Sequence, residues 1–308
     1  MKIFVAGHLG LVGSAILREL SRRGYSNIIT RTSGELDLTR QADVEDLFRD
    51  EKPEQVYLAA AKVGGILANS TYPADFIYKN LAIAANVIHS AYKFSTKKLL
   101  NLGSSCIYPR NAPQPLKEEY LLSGPLEPTN EAYAVAKIAA IKLCGSYNRQ
   151  FGTDFISLMP TNLYGPGDNF DLESSHVLPA LIRKFHEAKI SCAADVVVWG
   201  TGAPMREFLY VDDLAEAAVH MMENRSAKEV GEFINIGTGE DVTIRELANI
   251  IRKAVGFEGG IIFDREKPDG MPRKLLDVSR ARALGWSYKT ALDAGIRKTY
   301  GWYRSNKG

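Results

Sequence analysis

Short apolar runs alternate with helix-like stretches along the N-terminal half of the chain, and this alternation restricts the protein to few folds. Short runs rich in apolar and β-branched residues are typical of buried strands, whereas the longer stretches carry apolar residues at helical spacing. The predicted strands are Ile3–Ala6, Asn27–Thr32, Gln55–Leu58, Lys98–Leu102 and Phe155–Met159. The predicted helices are Leu11–Arg23, Gln41–Asp50, Ala74–Lys93 and Ala132–Phe151. Such alternation predicts an α/β fold, a doubly wound parallel sheet of the Rossmann type with helices on both faces.

The pattern becomes less regular after Pro160, where loop-rich segments precede a predicted helix at Val177–Ala188. Thr243 and Glu246 stand at the positions of a capping box, which marks a helix start. The later predicted elements are a helix at Asp213–Glu223, a strand at Phe233–Ile236 and a helix at Thr243–Val255. A chain of 308 residues is long enough for two unequal domains. We predict a Rossmann domain at 1–165 and a smaller C-terminal lobe at 166–308, from which some chain returns to the first domain.

Charge and cysteine content argue against several classes of partner. Lys and Arg total 38, Asp and Glu total 36, and the two signs are interspersed, so neither a nucleic-acid-binding stripe nor a polybasic membrane patch is indicated. The 3 cysteines are widely spaced and form no C-x-x-C pair, which fits a reducing cytoplasm. No apolar stretch approaches the ~20 residues of a membrane span. We therefore expect a cytoplasmic protein. We also expect no metal, because His, Cys and carboxylates do not cluster at ligand spacing.

A glycine-rich turn stands directly between the first predicted strand and the first predicted helix. Its sequence, Gly7-His-Leu-Gly-Leu-Val-Gly13, has the form G-x-x-G-x-x-G. Glycines at this place permit a tight turn and let backbone N–H groups at the helix N-terminus approach a pyrophosphate. The pattern favours dinucleotide binding, and a turn that merely connects strand to helix stays the alternative. The candidate cofactor-binding residues of the turn are Gly7, His8, Leu9, Gly10, Leu11, Val12 and Gly13.

The end of the second predicted strand indicates which dinucleotide is bound. NAD-binding proteins usually carry an acidic residue there, which accepts a hydrogen bond from the ribose 2′-hydroxyl. This strand ends in Thr30-Arg-Thr-Ser33 and has no such carboxylate. Arg31 either pairs with a 2′-phosphate or is an ordinary solvated residue. Leu38, slightly downstream, is expected to border the adenine. The sequence therefore favours NADP(H).

Tyr133 and Lys137 form the pattern Y-x-x-x-K on a predicted helix, so their side chains point to the same face. A free tyrosine has a pKa of about 10, and a nearby ammonium group stabilises the phenolate and lowers that pKa. By itself the pair is also an ordinary amphipathic pattern. Ser104 and Ser105, however, follow the fourth predicted strand, at the sheet edge where open α/β sheets bind ligands. The combination predicts a catalytic site in which a serine hydroxyl holds a carbonyl and Tyr133 donates a proton.

Together with Ala59–Ala61, these motifs resemble the extended short-chain dehydrogenases/reductases that modify nucleotide sugars. Longer segments narrow the resemblance to the GDP-L-fucose synthases, and the similarity runs essentially from end to end. These segments are Ala59–Ile66, Gly103–Pro109, Leu126–Asn130, Pro160–Pro166, Asp168–Phe170 and Lys267–Gly270. The sequence Ser-Ser-Cys-Ile-Tyr-Pro in the second of them is specific rather than generic.

The resemblance implies a bifunctional enzyme of nucleotide-sugar biosynthesis. It would epimerise GDP-4-keto-6-deoxy-D-mannose at C3 and C5 and then reduce the C4 ketone with NADPH, giving GDP-L-fucose. In this family pattern the reductase triad is Ser104, Tyr133 and Lys137, and the epimerisation base and acid are Cys106 and His176. Lys137 and His176 would also contact the cofactor, whose nicotinamide would lie beside Pro160, Thr161, Asn162 and Leu163. The residues that match the family's substrate contacts are Lys184, Trp199, Arg206 and Asp269.

The sequence departs from bacterial relatives at Leu9 and Ser33, which stand where these proteins often carry arginines suited to the 2′-phosphate. We therefore expect the preference for NADPH to be modest. The resemblance further implies that residues 1–165 bind NADP and that the C-terminal lobe binds the substrate. It also implies a homodimer paired through the helices Ala74–Lys93 and Ala132–Phe151.

Two alternatives remain for the same residues. The first is a nucleotide-sugar 4-epimerase or 4,6-dehydratase that keeps NAD tightly bound. Dehydratases typically carry an Asp-Glu pair where this chain has Ser105-Cys106, and a 4-epimerase has no need of Cys106. The second is a non-catalytic protein that uses the fold only to bind a dinucleotide. Such proteins tend to lose the tyrosine or the lysine, whereas this chain has both.

Overall fold

A six-stranded parallel sheet forms the centre of the protein. The structure, a computed structural model, describes residues 1–267 and 269–307. The strands of this main sheet are β1 (Ile3–Ala6), β2 (Ile28–Ile29), β3 (Gln55–Leu58), β4 (Lys98–Leu102), β5 (Phe155–Pro160) and β9 (Ile234–Ile236). They lie in the order β2-β1-β3-β4-β5-β9. The direction of crossover therefore reverses between β1 and β3, which is where doubly wound sheets bind their ligands. The predicted fold class is confirmed.

Helices cover both faces of the main sheet, because successive residues of a strand point to opposite sides. Ile3 and Val5 of β1 belong to one buried cluster, and Phe4 and Ala6 belong to another. The first face carries α1 (Leu11–Arg22) and α7 (Val211–Asn224), and the second carries α2 (Gln41–Glu51), α4 (Pro73–Lys93) and α5 (Glu131–Phe151). Two shorter helices are α3 (Ile66–Thr71) and α8 (Ala227–Val230). In the part of the chain that the structure describes, no helix is long and apolar enough to cross a membrane.

A smaller lobe is built from short strands and three longer helices. Its strands are β6 (Asn162–Tyr164), β7 (Asp195–Trp199), β8 (Met205–Tyr210), β10 (Asp241–Thr243), β11 (Gly260–Asp264) and β12 (Arg273–Lys274). Its helices are α6 (Val177–Ile190), α9 (Ile244–Val255) and α11 (Leu292–Asn306), and the short α10 (Ser279–Ala283) lies against β9. Phe185, Leu247 and Tyr303 are among the residues of its core. The capping box predicted at Thr243 and Glu246 is present at the start of α9.

One predicted strand has a different place from the one expected. The sequence analysis put Phe233–Ile236 in the C-terminal lobe, whereas β9 lies beside β5 as the sixth strand of the main sheet. Ile234 and Ile236 are fully buried there, and hydrophobic pattern alone does not say which of two cores a short apolar strand enters. The second predicted strand is also shorter than expected, with two residues in β2. The division into domains at residue 165 stays a prediction.

The two sheets meet at a buried carboxylate, Glu207 on β8. Its oxygens accept hydrogen bonds from the backbone N–H groups of Thr238 (2.6 Å), Gly239 (2.8 Å) and Leu276 (2.9 Å). Thr238 follows β9 of the main sheet, and Leu276 follows β12 of the smaller lobe. We call these four residues the Glu207 junction. It fixes the C-terminal end of the main sheet against the strands of the smaller lobe.

Candidate active site

The glycine-rich turn after β1 is shaped by close backbone contacts. Gly7 has φ +84°, and a Cβ added there would lie 2.7 Å from the backbone nitrogen of Ala60. A Cβ at Gly13 would lie 2.1 Å from the carbonyl oxygen of Gly7. Gly10 is the N-cap residue of α1 and donates a backbone hydrogen bond to the Gly7 oxygen (3.1 Å). Because these glycines have no side chain, backbone N–H groups at the N-terminus of α1 stay accessible. A dinucleotide pyrophosphate binds to such groups.

The other residues of the turn have different surroundings. Leu11 and Val12 pack against the buried cluster on the face of the main sheet that carries α1 and α7, while Leu9 is 73% exposed. The Nδ1 atom of His8 is buried and makes no hydrogen bond within the described residues. Leu38 packs partly against the core of the second face, and its carbonyl oxygen accepts a hydrogen bond from Asn86 (2.9 Å). The cofactor contacts of these residues stay predictions.

Arg31 already has a partner in the protein. Its guanidinium donates to Glu51 on α2 (2.7 Å) and to the carbonyl oxygen of Thr30 (2.8 Å). A 2′-phosphate would have to compete with Glu51 for this group. Leu9 and Ser33 supply no positive charge in compensation.

We predict that NADPH is preferred over NADH by no more than about tenfold in kcat/KM, which corresponds to ~1.4 kcal/mol. The preference is small because Arg31 must leave Glu51 to bind the phosphate. Steady-state kinetics with the two coenzymes measure it. Replacement of the exposed Leu9 with arginine should increase the ratio, and a clear preference of the unmodified protein for NADH would contradict the prediction.

Ser104, Tyr133 and Cys106 meet beyond the carboxyl end of β4. Ser104 caps a short 3₁₀ turn, Ser105–Ile107, and its hydroxyl accepts a hydrogen bond from the backbone N–H of Cys106 (3.4 Å). The same hydroxyl is close enough to the Tyr133 phenol and the Cys106 thiol to act against the burial that raises the pKa of both groups. One serine hydroxyl therefore lies beside the predicted proton donor of the reduction and the predicted base of the epimerisation.

Lys137 lies one turn after Tyr133 on α5. Its Nζ donates to the carbonyl oxygen of Leu102 (2.8 Å) and lies 5.7 Å from the centre of the Tyr133 ring. Phe76 on α4 packs edge-on against the same ring, with the ring centres 6.2 Å apart. These contacts hold the phenol and the ammonium group at the end of β4, where the sequence analysis expected them.

Burial dominates the protonation of the pair. Desolvation is the main cause that raises the pKa of Tyr133 above its usual range, and it lowers the pKa of Lys137 to about 8. The net pKa of the phenol therefore lies above its usual value and not below it, as the sequence analysis expected, because loss of hydration disfavours the phenolate more strongly than its surroundings favour it. A phenol that stays protonated is suited to donate a proton to a ketone oxygen.

Cys106 and His176 are both near the ammonium group of Lys274. Burial raises the pKa of the Cys106 thiol, while the nearby Lys274 ammonium, the Ser104 hydroxyl and Lys137 lower it. His176 immediately precedes α6 and makes no capping hydrogen bond. Although His176 keeps contact with solvent, desolvation lowers its pKa, and Lys274 lowers it further. Both side chains are close enough to Lys274 to respond to its charge.

The segment Pro160–Leu163 leaves the main sheet where β5 ends. Thr161 donates its backbone N–H to the carbonyl oxygen of Ile236 (3.0 Å). The side-chain amide of Asn162 donates to the carbonyl oxygen of Glu207 (2.8 Å), and Leu163 packs against the main core. The segment thus lies at the carboxyl edge of the sheet, beside β8.

The predicted substrate contacts form two neighbouring pairs on the smaller lobe. Lys184 donates to the carbonyl oxygen of Val197 (3.1 Å), and its Nζ lies 5.5 Å from the Trp199 ring centre. Trp199 is 61% exposed. Arg206 is largely buried, and desolvation lowers its pKa, which the charge of Asp269 partly offsets. Asp269 accepts hydrogen bonds from the backbone N–H and the hydroxyl of Thr201. Positive groups and an exposed aromatic ring thus share one surface.

Lys274 and Met271 were missed by the sequence analysis. Both line a small cavity beside Cys106. Lys274 belongs to β12, the last strand of the smaller lobe, and Met271 precedes that strand. Both are far along the chain from Cys106, and no local motif indicates that this segment reaches the cavity. Among the described residues, no three His, Cys, Asp or Glu side chains are grouped so as to hold a metal ion.

The fold and this arrangement of groups define a class of protein, the extended short-chain dehydrogenases/reductases. The sequence model of the NAD dependent epimerase/dehydratase family matches residues 3–237. GDP-L-fucose synthase 1 of Arabidopsis thaliana is 62% identical over 305 residues, which cover 99% of this chain and 94% of that protein. The GDP-L-fucose synthase of Escherichia coli (strain K12) is 57% identical over 312 residues, which cover 99% and 97%.

A solved structure gives the same result. A GDP-L-fucose synthetase from Naegleria fowleri bound to NADP is 32% identical, with a TM-score of 0.92, and the match covers 99% of this chain and 92% of that one. The chain therefore belongs to the NAD dependent epimerase/dehydratase family and, within it, to the GDP-L-fucose synthases. The resemblance found in the sequence is confirmed.

Proposed function

We propose that this protein converts GDP-4-keto-6-deoxy-D-mannose to GDP-L-fucose, as a 3,5-epimerase and an NADP-dependent 4-reductase. The observation that carries the proposal is the place of the Ser104 hydroxyl, which accepts a hydrogen bond from the backbone of Cys106 and lies near both the Cys106 thiol and the Tyr133 phenol. Epimerisation and reduction both act through the C4 carbonyl, so a group that holds this oxygen serves both. The names of the full-length relatives support the same reaction.

Epimerisation uses the acidity of a C–H bond next to the ketone. When that bond breaks, its electron pair moves to the C4 oxygen as an enolate, which the hydroxyls of Ser104 and Tyr133 stabilise by hydrogen bonding. The thiolate of Cys106 takes the proton and forms S–H. His176 delivers a proton to the carbon from the opposite face, which inverts the centre. The same pair acts at C3 and at C5.

Reduction uses Tyr133 as the acid. NADPH, when bound, supplies the hydride that adds to C4. Tyr133 gives its proton to the C4 oxygen, and Lys137, held by the Leu102 carbonyl, stabilises the phenolate that results. The Ser104 hydroxyl keeps the oxygen in reach of the phenol.

The remaining predicted residues would hold the two nucleotides. The glycine-rich turn and the N-terminus of α1 fit the cofactor pyrophosphate, because a Cβ at Gly7 or Gly13 would fill the space next to it. Lys184 and Arg206 are suited to the diphosphate of the substrate, since phosphates take charge-assisted hydrogen bonds. Trp199 is exposed and able to cover a sugar or a base.

Incubation with GDP-4-keto-6-deoxy-D-mannose and NADPH, followed by identification of the product, tests the proposal. The expected result is stoichiometric oxidation of NADPH and formation of GDP-L-fucose. A nucleotide-sugar 4-epimerase or 4,6-dehydratase would return the hydride and consume no NADPH, and a non-catalytic binding protein would leave the sugar unchanged. Either outcome would contradict the proposal.

We further propose a cytoplasmic homodimer paired through α4 and α5, with no nucleic acid or membrane as partner. Aromatic side chains from both helices pack together, and Phe151 and Tyr78 remain 44% and 66% exposed. Tyr92 and Phe151 stack with their ring centres 4.2 Å apart. The molar mass in solution, measured by light scattering, tests the dimer, and a monomer at micromolar concentration would contradict it.

A further inference from the structure

Lys274 is held in place by contacts on both sides of its strand. It is the second residue of β12, which runs parallel to β8 and places Lys274 beside Arg206. The backbone N–H of Leu275 donates to the side-chain oxygen of Gln114 (2.9 Å), and that of Leu276 donates to Glu207 (2.9 Å). The position of Lys274 is therefore fixed by the Glu207 junction and by the loop that follows Cys106.

The ammonium group of Lys274 carries a positive charge that no ion pair neutralises in the described part of the chain. Lys274 lines the same cavity as Cys106, together with Ser105, Tyr108 and Met271. Within residues 1–267 and 269–307, its ammonium group makes no hydrogen bond or ion pair. Glu207 is near, but backbone N–H groups already occupy its oxygens. Desolvation lowers the pKa of Lys274, and a negative charge on Cys106 acts in the opposite direction, so this position favours the appearance of a negative charge next to the ammonium group.

We propose that Lys274 is the positioning residue that stabilises the thiolate of Cys106 when the thiolate removes a proton from the substrate. The inference rests on the proposed function, in which Cys106 is the epimerisation base. The sequence analysis assigned no role to Lys274.

The other groups that face Cys106 do not provide this charge. Tyr133 is protonated, since burial raises its pKa, and Ser104 is neutral. Lys137 is committed to the Leu102 carbonyl, and its effect on the pKa of the thiol is smaller than that of Lys274. Desolvation and Lys274 lower the pKa of His176, and the proton that His176 carries is the one delivered to the substrate carbon, so His176 does not keep a positive charge beside the thiolate. Lys274 is therefore the group best placed to hold the thiolate.

The proton balance of the step is simple. The thiol proton of Cys106 leaves to solvent before the reaction, and the resulting thiolate faces the Lys274 ammonium group. The thiolate then takes the substrate proton, so that S–H forms as C–H breaks and the electron pair passes to the enolate oxygen. Lys274 keeps all its protons throughout, and it acts by charge alone.

The pH dependence of Cys106 alkylation tests this directly. The NADP⁺-loaded enzyme carries Cys192→Ser, which removes the exposed thiol. It is treated with iodoacetamide across the neutral to alkaline range, and modified Cys106 peptide is quantified by mass spectrometry. In Lys274→Met the pH at which alkylation is half-maximal, the alkylation midpoint, should rise by about one pH unit, which is a tenfold loss of thiolate at neutral pH. Lys274→Arg should return the midpoint to its original pH. The matched control is Arg273→Met, whose side chain pairs with Asp241 instead.

Solvent-deuterium incorporation at C3 and C5 is the second measurement. It should fall about tenfold in Lys274→Met, in proportion to the thiolate, with KM for the sugar nucleotide nearly unchanged. Thermal unfolding identifies variants that fail to fold. If Lys274→Met fails to fold, Lys274→Gln replaces it, and the same results are expected of that variant. An unchanged alkylation midpoint would overturn the inference. If KM for the sugar nucleotide also rose, the result would assign Lys274 to binding of the substrate diphosphate.

The failure of the proposed function gives a different result. If Cys106→Ser exchanged deuterium at the unmodified rate, Cys106 would not be the base, whatever the alkylation midpoint shows. The midpoint reports the charge around the thiol without turnover. The two hypotheses are therefore tested separately.

Discussion

Replacement of Tyr133 with phenylalanine is expected to lower the rate of NADPH oxidation by roughly 10²- to 10⁴-fold, the usual contribution of a general acid. The change removes one hydroxyl and little volume, and the contact of the ring with Phe76 remains. The protein should therefore stay folded. Absorbance of NADPH measures the rate. The matched control is Tyr57→Phe, which removes a buried hydroxyl from β3 and should leave the rate within about twofold.

Tyr133→Phe should still exchange protons at C3 and C5 with solvent, because Cys106 and His176 remain. Mass spectrometry of the sugar nucleotide in D₂O measures this exchange. Near-normal NADPH oxidation by the variant would show that another group donates the proton to C4.

Replacement of Cys106 with alanine should have the opposite pattern. Without the thiolate, incorporation of deuterium at C3 and C5 should fall by roughly 10²-fold or more. Ser104, Tyr133 and Lys137 stay in place, so the ketone is still reduced, slowly, without epimerisation. The product should be a GDP-6-deoxyhexose of the D series instead of GDP-L-fucose. Mass spectrometry and NADPH absorbance separate the two activities.

The control for this experiment is Cys144→Ala. Cys144 on α5 is fully buried, and desolvation raises its pKa to about 12, so it is unreactive at neutral pH. Its removal should affect stability and leave deuterium exchange unchanged. If Cys106→Ala exchanges deuterium at the rate of the unmodified protein, Cys106 is a packing residue and His176 is the next candidate for the base.

The main sheet was predictable because its signals are local. β1, β3 and β4 have the bounds that the sequence predicts, since each is a short buried run that ends in a turn or loop, and β3 and β4 each follow a helix. The short strands of the smaller lobe were not predicted. In β7, buried and exposed residues alternate, and its partner strand is β11, which lies far along the chain. Pairing at such distance has no local sequence signal.

The candidate site divides in the same way. The glycine-rich turn and the pair Tyr133 and Lys137 are local motifs with a fixed spacing, and the structure places them as expected. Arg31 was predicted as a phosphate ligand, but its pairing with Glu51 depends on the packing of α2 against the sheet. Lys274 was missed because only the fold brings β12 to Cys106. The sequence therefore indicates chemistry within one element better than chemistry between elements.

The Glu207 junction limits which segments can be exchanged between two proteins of this architecture. Its three shortest hydrogen bonds come from backbone N–H groups, so the junction depends on the spacing of the three segments. The Thr238 hydroxyl also donates to Glu207, and Gly239 has φ +76°, which favours glycine. A chimera that takes β8 from one parent and β12 from another must reproduce that spacing to bury the carboxylate with its partners. We expect new substrate preferences to arise in this lineage by replacement of side chains on the surface loops of the smaller lobe, and not by recombination of whole lobes.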